Sequence, residues 1–281
     1  IINVIAERAS HHSIELNPLK KLSISNKLDE IPVRQPYYCA GCPHNSSTKA
    51  SDGEIVGMGI GCHSISGFIN PDAITNFTQM GGEGAFWIGR APFSERSHSF
   101  QNMGDGTYAH SGYLGVRAAV AAGVNITFKM LVNDAVAMTG GQSAQGGSSP
   151  FSMTEQLLAE GVKKVVIVSD QPDQIRKSAR WPATVDFFHR DKILKVQDEL
   201  SHIHGVSALL HVQTCATELR RRRKRKTIPQ RAERVYINAA VCEGCGDCAK
   251  SSNCVALKPK FDGEAYNCLL YTSDAADDAG S

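Results

Sequence analysis

Gly104-Asp105-Gly106 is followed, after one helix and one strand, by Asn133-Asp134-Ala135-Val136-Ala137-Met138-Thr139-Gly140-Gly141-Gln142, and this pair of phrases decides how the chain is read. Two glycines flanking an acid let the backbone approach a phosphate closely, and Thr107 to Ser111 can open a helix whose N-terminal amides face the anion. Asp105 would then meet a hard cation such as Mg²⁺, which takes near-octahedral oxygen ligation. Asn133, at the end of the apolar run Ile126 to Val132, can add its amide oxygen, with the Ala135 carbonyl beside it. Thr139 and Gly140 extend the same phrase along the phosphates. A glycine-flanked aspartate alone also describes an ordinary strand-to-helix turn, so the second phrase is what points to a metal-diphosphate site.

Outward from these phrases, strands and helices alternate. Glu54 to Gly59, Ile126 to Val132, Val162 to Ser169 and Val206 to Gln213 read as buried strands. Ser111 to Ala122 reads as a helix ended by Gly123, and Phe187 to Leu200 becomes helix-like from Asp191 onward. Such alternation predicts an α/β fold, a parallel sheet with helices on both faces, and places the phosphate site beyond strand C-termini. Gly140 to Ser149 is rich in Gly and Ser and reads as a loop, either one that orders over a bound cofactor or a plain connector.

With 281 residues and 42% hydrophobic content the chain can bury a sizeable core, and one large domain plus a small one is expected. The net charge of +2 excludes little. No apolar run approaches the ~20 residues that cross a bilayer, and no charged leader precedes an apolar core, so a cytoplasmic protein without a membrane partner is expected. Residues 1–36 read as a linker from a preceding domain, and Ile1 suggests a piece of a longer reading frame. Residues 268–281 read like the in-frame translation of a sequencing adapter and are set aside from fold reasoning.

Seven consecutive cations, Arg220 to Lys226, could form a nucleic-acid patch. No aromatic residue interleaves with them, so we read 219–234 as a solvated basic linker and expect no nucleic-acid partner. It separates the α/β domain, 37–218, from a cysteine-dense module, 235–267. There Cys242, Cys245 and Cys248 follow the spacing by which ferredoxin-like modules wrap a [4Fe-4S] cube, with Cys254 as available fourth ligand. Zinc is the competing reading, but zinc motifs usually pair their cysteines two by two. In two-cluster ferredoxins the last cysteine of a run serves the other cluster, which leaves Cys254 open between the two.

The segment Gly104 to Gln142 resembles the thiamine diphosphate (TPP) motif, and the chain from Arg34 to Pro259 resembles the 2-oxoacid:ferredoxin oxidoreductases, most closely their long fused indolepyruvate branch. Cys39-Ala40-Gly41-Cys42-Pro43-His44-Asn45, Met80-Gly81-Gly82-Glu83-Gly84, Gly104 to Gly123 and Cys242 to Cys248 carry the resemblance. It implies a TPP diphosphate-binding domain followed by a truncated ferredoxin-like module. It further implies that an aryl 2-oxoacid is oxidatively decarboxylated to an acyl-CoA, with electrons passed through [4Fe-4S] clusters to ferredoxin. Cys39, Cys42, Cys62 in Gly59-Ile60-Gly61-Cys62, and Cys215 in Gln213-Thr214-Cys215 would hold the cluster beside the TPP. Read without the family, Cys62 and Cys215 could equally be buried small hydrophobes.

His44, His63, His98 and His110 lie in or near these phrases, and His110 is the candidate for proton transfer, with a helix-cap role as the alternative. Phe86 and Trp87 read as core or domain-contact groups. The resemblance also implies that the carboxylate which activates TPP comes from a separate pyrimidine-binding domain, that a gamma-type domain completes the enzyme, and that the complete enzyme is a homodimer. A non-redox TPP decarboxylase or carboligase would share Gly104 to Asn133 but have no use for Cys242 to Cys254; an electron-transfer module would keep only the cysteines.

Overall fold

The computed structural model describes residues 36–139, 141–142, 146, 149–230, 236–238, 240–252, 257–261 and 266–270. The expected linker 1–36 falls outside these residues except for Pro36, as do Gly140, most of the Gly/Ser loop and Cys254. Seven strands, β1 (Val56–Met58), β2 (Ile74–Phe77), β3 (Ser99–Gly104), β4 (Ile126–Val132), β5 (Lys164–Ser169), β6 (Asp186–His189) and β7 (Val206–Val212), form one sheet in the order β2-β1-β3-β4-β7-β5-β6. Every pairing in it is parallel, with Gly104 opposite Leu131 and Val132 opposite Val212 at the C-terminal edge.

Helices of six residues or more in the same domain are α1 (Ala85–Arg90), α2 (Tyr113–Ala122), α3 (Pro150–Ala159), α4 (Pro172–Lys177), α5 (Ile193–Ser201) and α6 (Ala216–Lys224). Their ends follow local rules. α2 stops at Gly123, whose φ of 66° is left-handed. α3 starts with Pro150 behind Ser149, whose hydroxyl accepts from the Ser152 amide.

Because successive strand residues face opposite ways, β4 and β7 supply both layers of the core. Ile126, Phe128, Met130, Ala208 and Leu210 pack with Trp87, Val116, Met153 and Leu157 on one face. Leu209, with Val166 and Val168, meets Ile193, Val196 and Leu200 of α5 on the other. Each large apolar side chain fully buried there contributes about 1.5–3 kcal/mol. Lys129 also points into the second layer; its ammonium donates to the Lys49 carbonyl at 2.8 Å and to Gln197 Oε1 at 3.1 Å. Burial pushes its pKa down to about 7.

The structure bears out an α/β domain with a parallel sheet and corrects two details. β3 carries the glycine-flanked aspartate yet was not anticipated as a strand, since Gln101 and Asn102 interrupt its apolar pattern. Both are buried; Gln101 Oε1 accepts from the Gly84 amide at 3.1 Å and its Nε2 donates to the Asn102 carbonyl at 3.0 Å. The basic stretch expected as a linker from 219 is helical through Lys224, so the α/β domain runs past the expected boundary at 218. Trp87 is core, its indole donating to the Asn125 carbonyl at 2.9 Å, while Phe86 is exposed.

Further along, α7 (Asp247–Ser252) and the antiparallel pair β8 (Leu257–Phe261) and β9 (Tyr266–Leu270) are formed, and β9 crosses the expected boundary at 267. Among the described residues no helix is long and apolar enough to cross a membrane.

Candidate functional site

The chain runs from β1 to β2 on one side of it, while β3 lies on the other, so the loops leaving β1 and β3 diverge. In open parallel sheets a ligand binds at that parting of the loops, outside the strand C-termini. Here it receives Gly59-Ile60-Gly61-Cys62 from β1, Gly104-Asp105-Gly106 from β3 and Asn133 from β4. A cavity of about 580 Å³ opens between them, lined by Gly61, Met80, Asp105, Thr107, Asn133 and Thr139 among others. That volume suits a small-molecule cofactor.

Asp105 is fixed by the backbone. Its Oδ1 accepts from the Gly106 amide at 2.9 Å and its Oδ2 from the Asn133 amide at 3.2 Å, joining the two motif phrases directly. Burial pushes the Asp105 carboxyl above the usual carboxylate range, against the pull of the backbone amides. A hard cation at that carboxylate would offset the cost of burial, and oxygen donors are what such a cation takes. Asn133 is buried and its Oδ1 accepts from the Ala135 amide at 3.3 Å. Gly104 and Gly106 line the same cavity, and a Cβ on either would approach protein atoms no closer than 3.7 Å. Nothing in the protein itself demands glycine at those positions, whereas the close approach of a phosphate would.

After Thr107 the helix widens into a π-turn, Tyr108–Gly112, before α2 begins. Such turns recur at functional sites. His110 projects from it, exposed at the cavity, with Nδ1 2.8 Å from the Ser111 hydroxyl. Thr107 is buried and donates to the Ile60 carbonyl at 3.3 Å, tying the π-turn to the loop after β1. Thr139 ends a 3₁₀ turn, Ala137–Thr139, on the cavity wall. The loop carrying it closes on itself through Val136 N to Gln142 O, 2.8 Å, and Gly141 N to Val136 O, 2.9 Å.

Cys39, Cys42, Cys62 and Cys215 line a second, smaller cavity of about 100 Å³, although up to 176 positions separate them in sequence. Cys39 and Cys42 come from one turn, closed by Cys42 N to Cys39 O at 3.0 Å, Cys62 follows β1, and Cys215 caps α6. Burial, reinforced by the neighbouring thiols, pushes Cys42 up to about 12 and raises Cys62 as well. Thiols so held are neutral unless a metal takes their protons' place. Among the described residues no three His, Cys, Asp or Glu side chains are grouped as a single metal ion requires. A [4Fe-4S] cube makes a different demand, since each thiolate binds its own iron, and four cysteines around one cavity suit it in donor type and number.

The other expected residues are distributed unevenly. His44 and His63 are buried, His44 lining both cavities and His63 the larger one, and burial pushes them down to about 4 and about 3. His98 lies away from the site, bonded to the Thr127 hydroxyl at 2.8 Å. Cys242 is half-buried, and Cys245 and Cys248 are exposed; Cys254 lies outside the described residues. Two features had no signal in the sequence. Glu83 is fully buried with Oε2 accepting from the Gly81 amide at 2.7 Å, and Asp134 takes a left-handed φ of 63° between Asn133 and Ala135.

Residues 59–180 match the family described as thiamine pyrophosphate enzyme, C-terminal TPP binding domain, so this stretch is similar to TPP-binding domains. Indolepyruvate oxidoreductase subunit IorA of Thermococcus kodakarensis is 24% identical over 88% of this chain and 44% of its own length. The IorA subunit of Methanothermobacter marburgensis is 27% identical over 82% of this chain and 41% of its own. A solved 2-oxoglutarate:ferredoxin oxidoreductase from Magnetococcus marinus aligns over 92% of this chain and 91% of its own with a TM-score of 0.48 and 14% identity. The chain is similar to the indolepyruvate oxidoreductases over most of its length and to TPP enzymes over residues 59–180. It spans less than half the length of these curated relatives.

Proposed function

We propose that this chain is the diphosphate-binding and electron-collecting part of a TPP-dependent 2-oxoacid:ferredoxin oxidoreductase acting on an aryl 2-oxoacid such as indolepyruvate. The product is an acyl-CoA, and ferredoxin receives the electrons. The observation that carries the reading is the adjacency of the two cavities: Asn133 lines both the diphosphate cavity and the one ringed by four cysteines.

TPP, when bound, supplies the chemistry that releases carbon dioxide from a 2-oxoacid, and the protein supplies binding, orientation and electrostatics. Asp105, Asn133 and the Ala135 carbonyl would hold the Mg²⁺ that accompanies the diphosphate, while Gly104, Gly106 and Thr107 would leave the backbone open to phosphate oxygens. Thr139 and Gly140 would add further contacts to the cofactor. His110, exposed at the cavity, would hold or move a proton. Cys39, Cys42, Cys62 and Cys215 would hold the near [4Fe-4S] cluster, and Cys242, Cys245, Cys248 and Cys254 a second cluster toward ferredoxin. The pyrimidine-binding and gamma-type domains of the same enzyme would supply the activating carboxylate and the remaining substrate contacts in a cytoplasmic homodimer.

A non-redox TPP decarboxylase gives the four converging cysteines no task, which is why the redox reading is preferred. Anaerobic reconstitution with iron, sulfide, Mg²⁺ and TPP tests it. The expected result is TPP binding together with the electron paramagnetic resonance signal of a reduced [4Fe-4S] cluster. TPP binding with no iron uptake would leave the non-redox reading standing instead.

A further inference from the structure

The run of seven cations remains without a task in the reaction, and its inner members do not behave as a solvated stretch. α6 is capped by Cys215, and its arginines reach the loop that carries Asn133 and Ala135. Arg222 Nη2 donates to Asp134 Oδ2 at 2.7 Å, while its Nε donates to Glu218 Oε1 at 3.1 Å. Glu218 is only 13% exposed and its second oxygen lies 3.7 Å from Arg221 Nη1, so one shielded carboxylate orients both guanidinium groups. Arg221 lies against Gly141, where a side chain would collide with its guanidinium. The loop from Asp134 to Gly141 is therefore braced at each end by consecutive arginines of one helix.

The brace acts where the backbone needs it. Asp134 sits at φ 63°, a conformation that L-residues other than Gly, Asn and Asp rarely adopt, directly between the two expected metal ligands. A turn held there fixes the direction of the Asn133 side chain and of the Ala135 carbonyl. Arg222 also lies beyond residues 59–180, the extent of the matched TPP-binding domain.

We propose that Arg222 is a positioning residue for the metal-diphosphate site: through Asp134 it holds the left-handed turn that aims Asn133 and Ala135 at the cation. The proposal rests on the reading of Asp105 and Asn133 as the TPP·Mg²⁺ site. The outer cations of the run, from Arg223 onward, have no part in it.

Calorimetric titration of TPP at several Mg²⁺ concentrations into the full chain tests it, with Arg222→Gln, Arg222→Lys, Asp134→Asn and the Arg222→Gln/Asp134→Asn double variant. Arg222→Gln should weaken TPP binding about fivefold and raise the Mg²⁺ needed for half-saturation, as loss of one partly exposed but well-oriented pair implies. Arg222→Lys should recover most of that loss. Asp134→Asn should match Arg222→Gln, and the double variant should be no worse than either. The thermal midpoint of the ligand-free protein should stay within about 2 °C, since an exposed pair adds little to global stability. Unchanged affinity in Arg222→Gln, failure of Arg222→Lys to recover it, or additive losses in the double variant would each overturn the proposal. Absence of TPP·Mg²⁺ binding in the unaltered chain would sink the site reading itself, a result distinguishable from all of these.

Discussion

The backbone amide of Cys215 donates to the carbonyl of Asn133 across 2.9 Å. The last of the four cavity cysteines and the expected metal-binding asparagine are thus joined by a single hydrogen bond between residues 82 positions apart. A change at either site has a short mechanical path to the other, through α6 and the end of β4.

From this path follows a separation between the two cysteine groups. Cys42→Ser should abolish the near cluster and weaken TPP binding several-fold, because the turn it leaves touches the helix that holds Asn133. Cys245→Ser should remove iron only from the ferredoxin-like run and leave TPP affinity unchanged. Iron and sulfide analysis beside calorimetry reads both quantities, and full iron content in both variants would refute the assignment of these cysteines as cluster ligands.

A second prediction concerns acid. Burial pushes His98 down to about 4 and His211 to about 3, so both are neutral in the folded protein while the unfolded chain takes up protons near pH 6.5. The unfolded state then binds more protons as pH falls, and stability drops by up to about 1.4 kcal/mol per pH unit for each histidine. The stability they contribute is present above pH 6.5 and is lost as pH falls through about 4. Thermal melts between pH 7.5 and 4.5 should show this slope, and His98→Gln should reduce it by one histidine's share. An unchanged slope in that variant would contradict the assignment.

Close packing gives a third. A Cβ on Gly115, in the buried face of α2, would collide with the Glu83 carbonyl, a backbone atom that cannot swing aside. Gly115→Ala should therefore cost about 1–3 kcal/mol of stability and displace the Met80–Gly84 loop, weakening TPP binding as well. Denaturant unfolding measures the first effect and calorimetry the second; wild-type values in both would show that the loop yields freely.

Much of the sheet was legible because β4, β5 and β7 are rich in apolar residues. All residues of Ile126–Val132 are buried, and the helix before it ends at Gly123 as its sequence predicts. β3 was not legible, since its buried Gln101 and Asn102 look like surface residues until their tertiary partners are known. The edge strands β2 and β6 were missed for a related reason: each is four residues long and only partly buried, too short for a period to emerge. At the site, local phrases identified Asp105 and Asn133, but the meeting of Cys39 and Cys42 with Cys62 and Cys215 is a product of topology that no spacing encodes. The arginine run misled because charge was taken to mean solvation, whereas Arg221 and Arg222 share the shielded Glu218.

The central claim is that Asp105 and Asn133 form the metal-diphosphate site, and titration of TPP with and without Mg²⁺ into the unaltered chain, Asp105→Ala and Asn133→Ala tests it most directly. Asp105 contributes charge as well as an oxygen, so its loss should weaken Mg²⁺-dependent binding on the order of 100-fold, about 2.7 kcal/mol, and loss of Asn133 roughly tenfold. Equal TPP affinity in the unaltered chain and in Asp105→Ala would contradict the account.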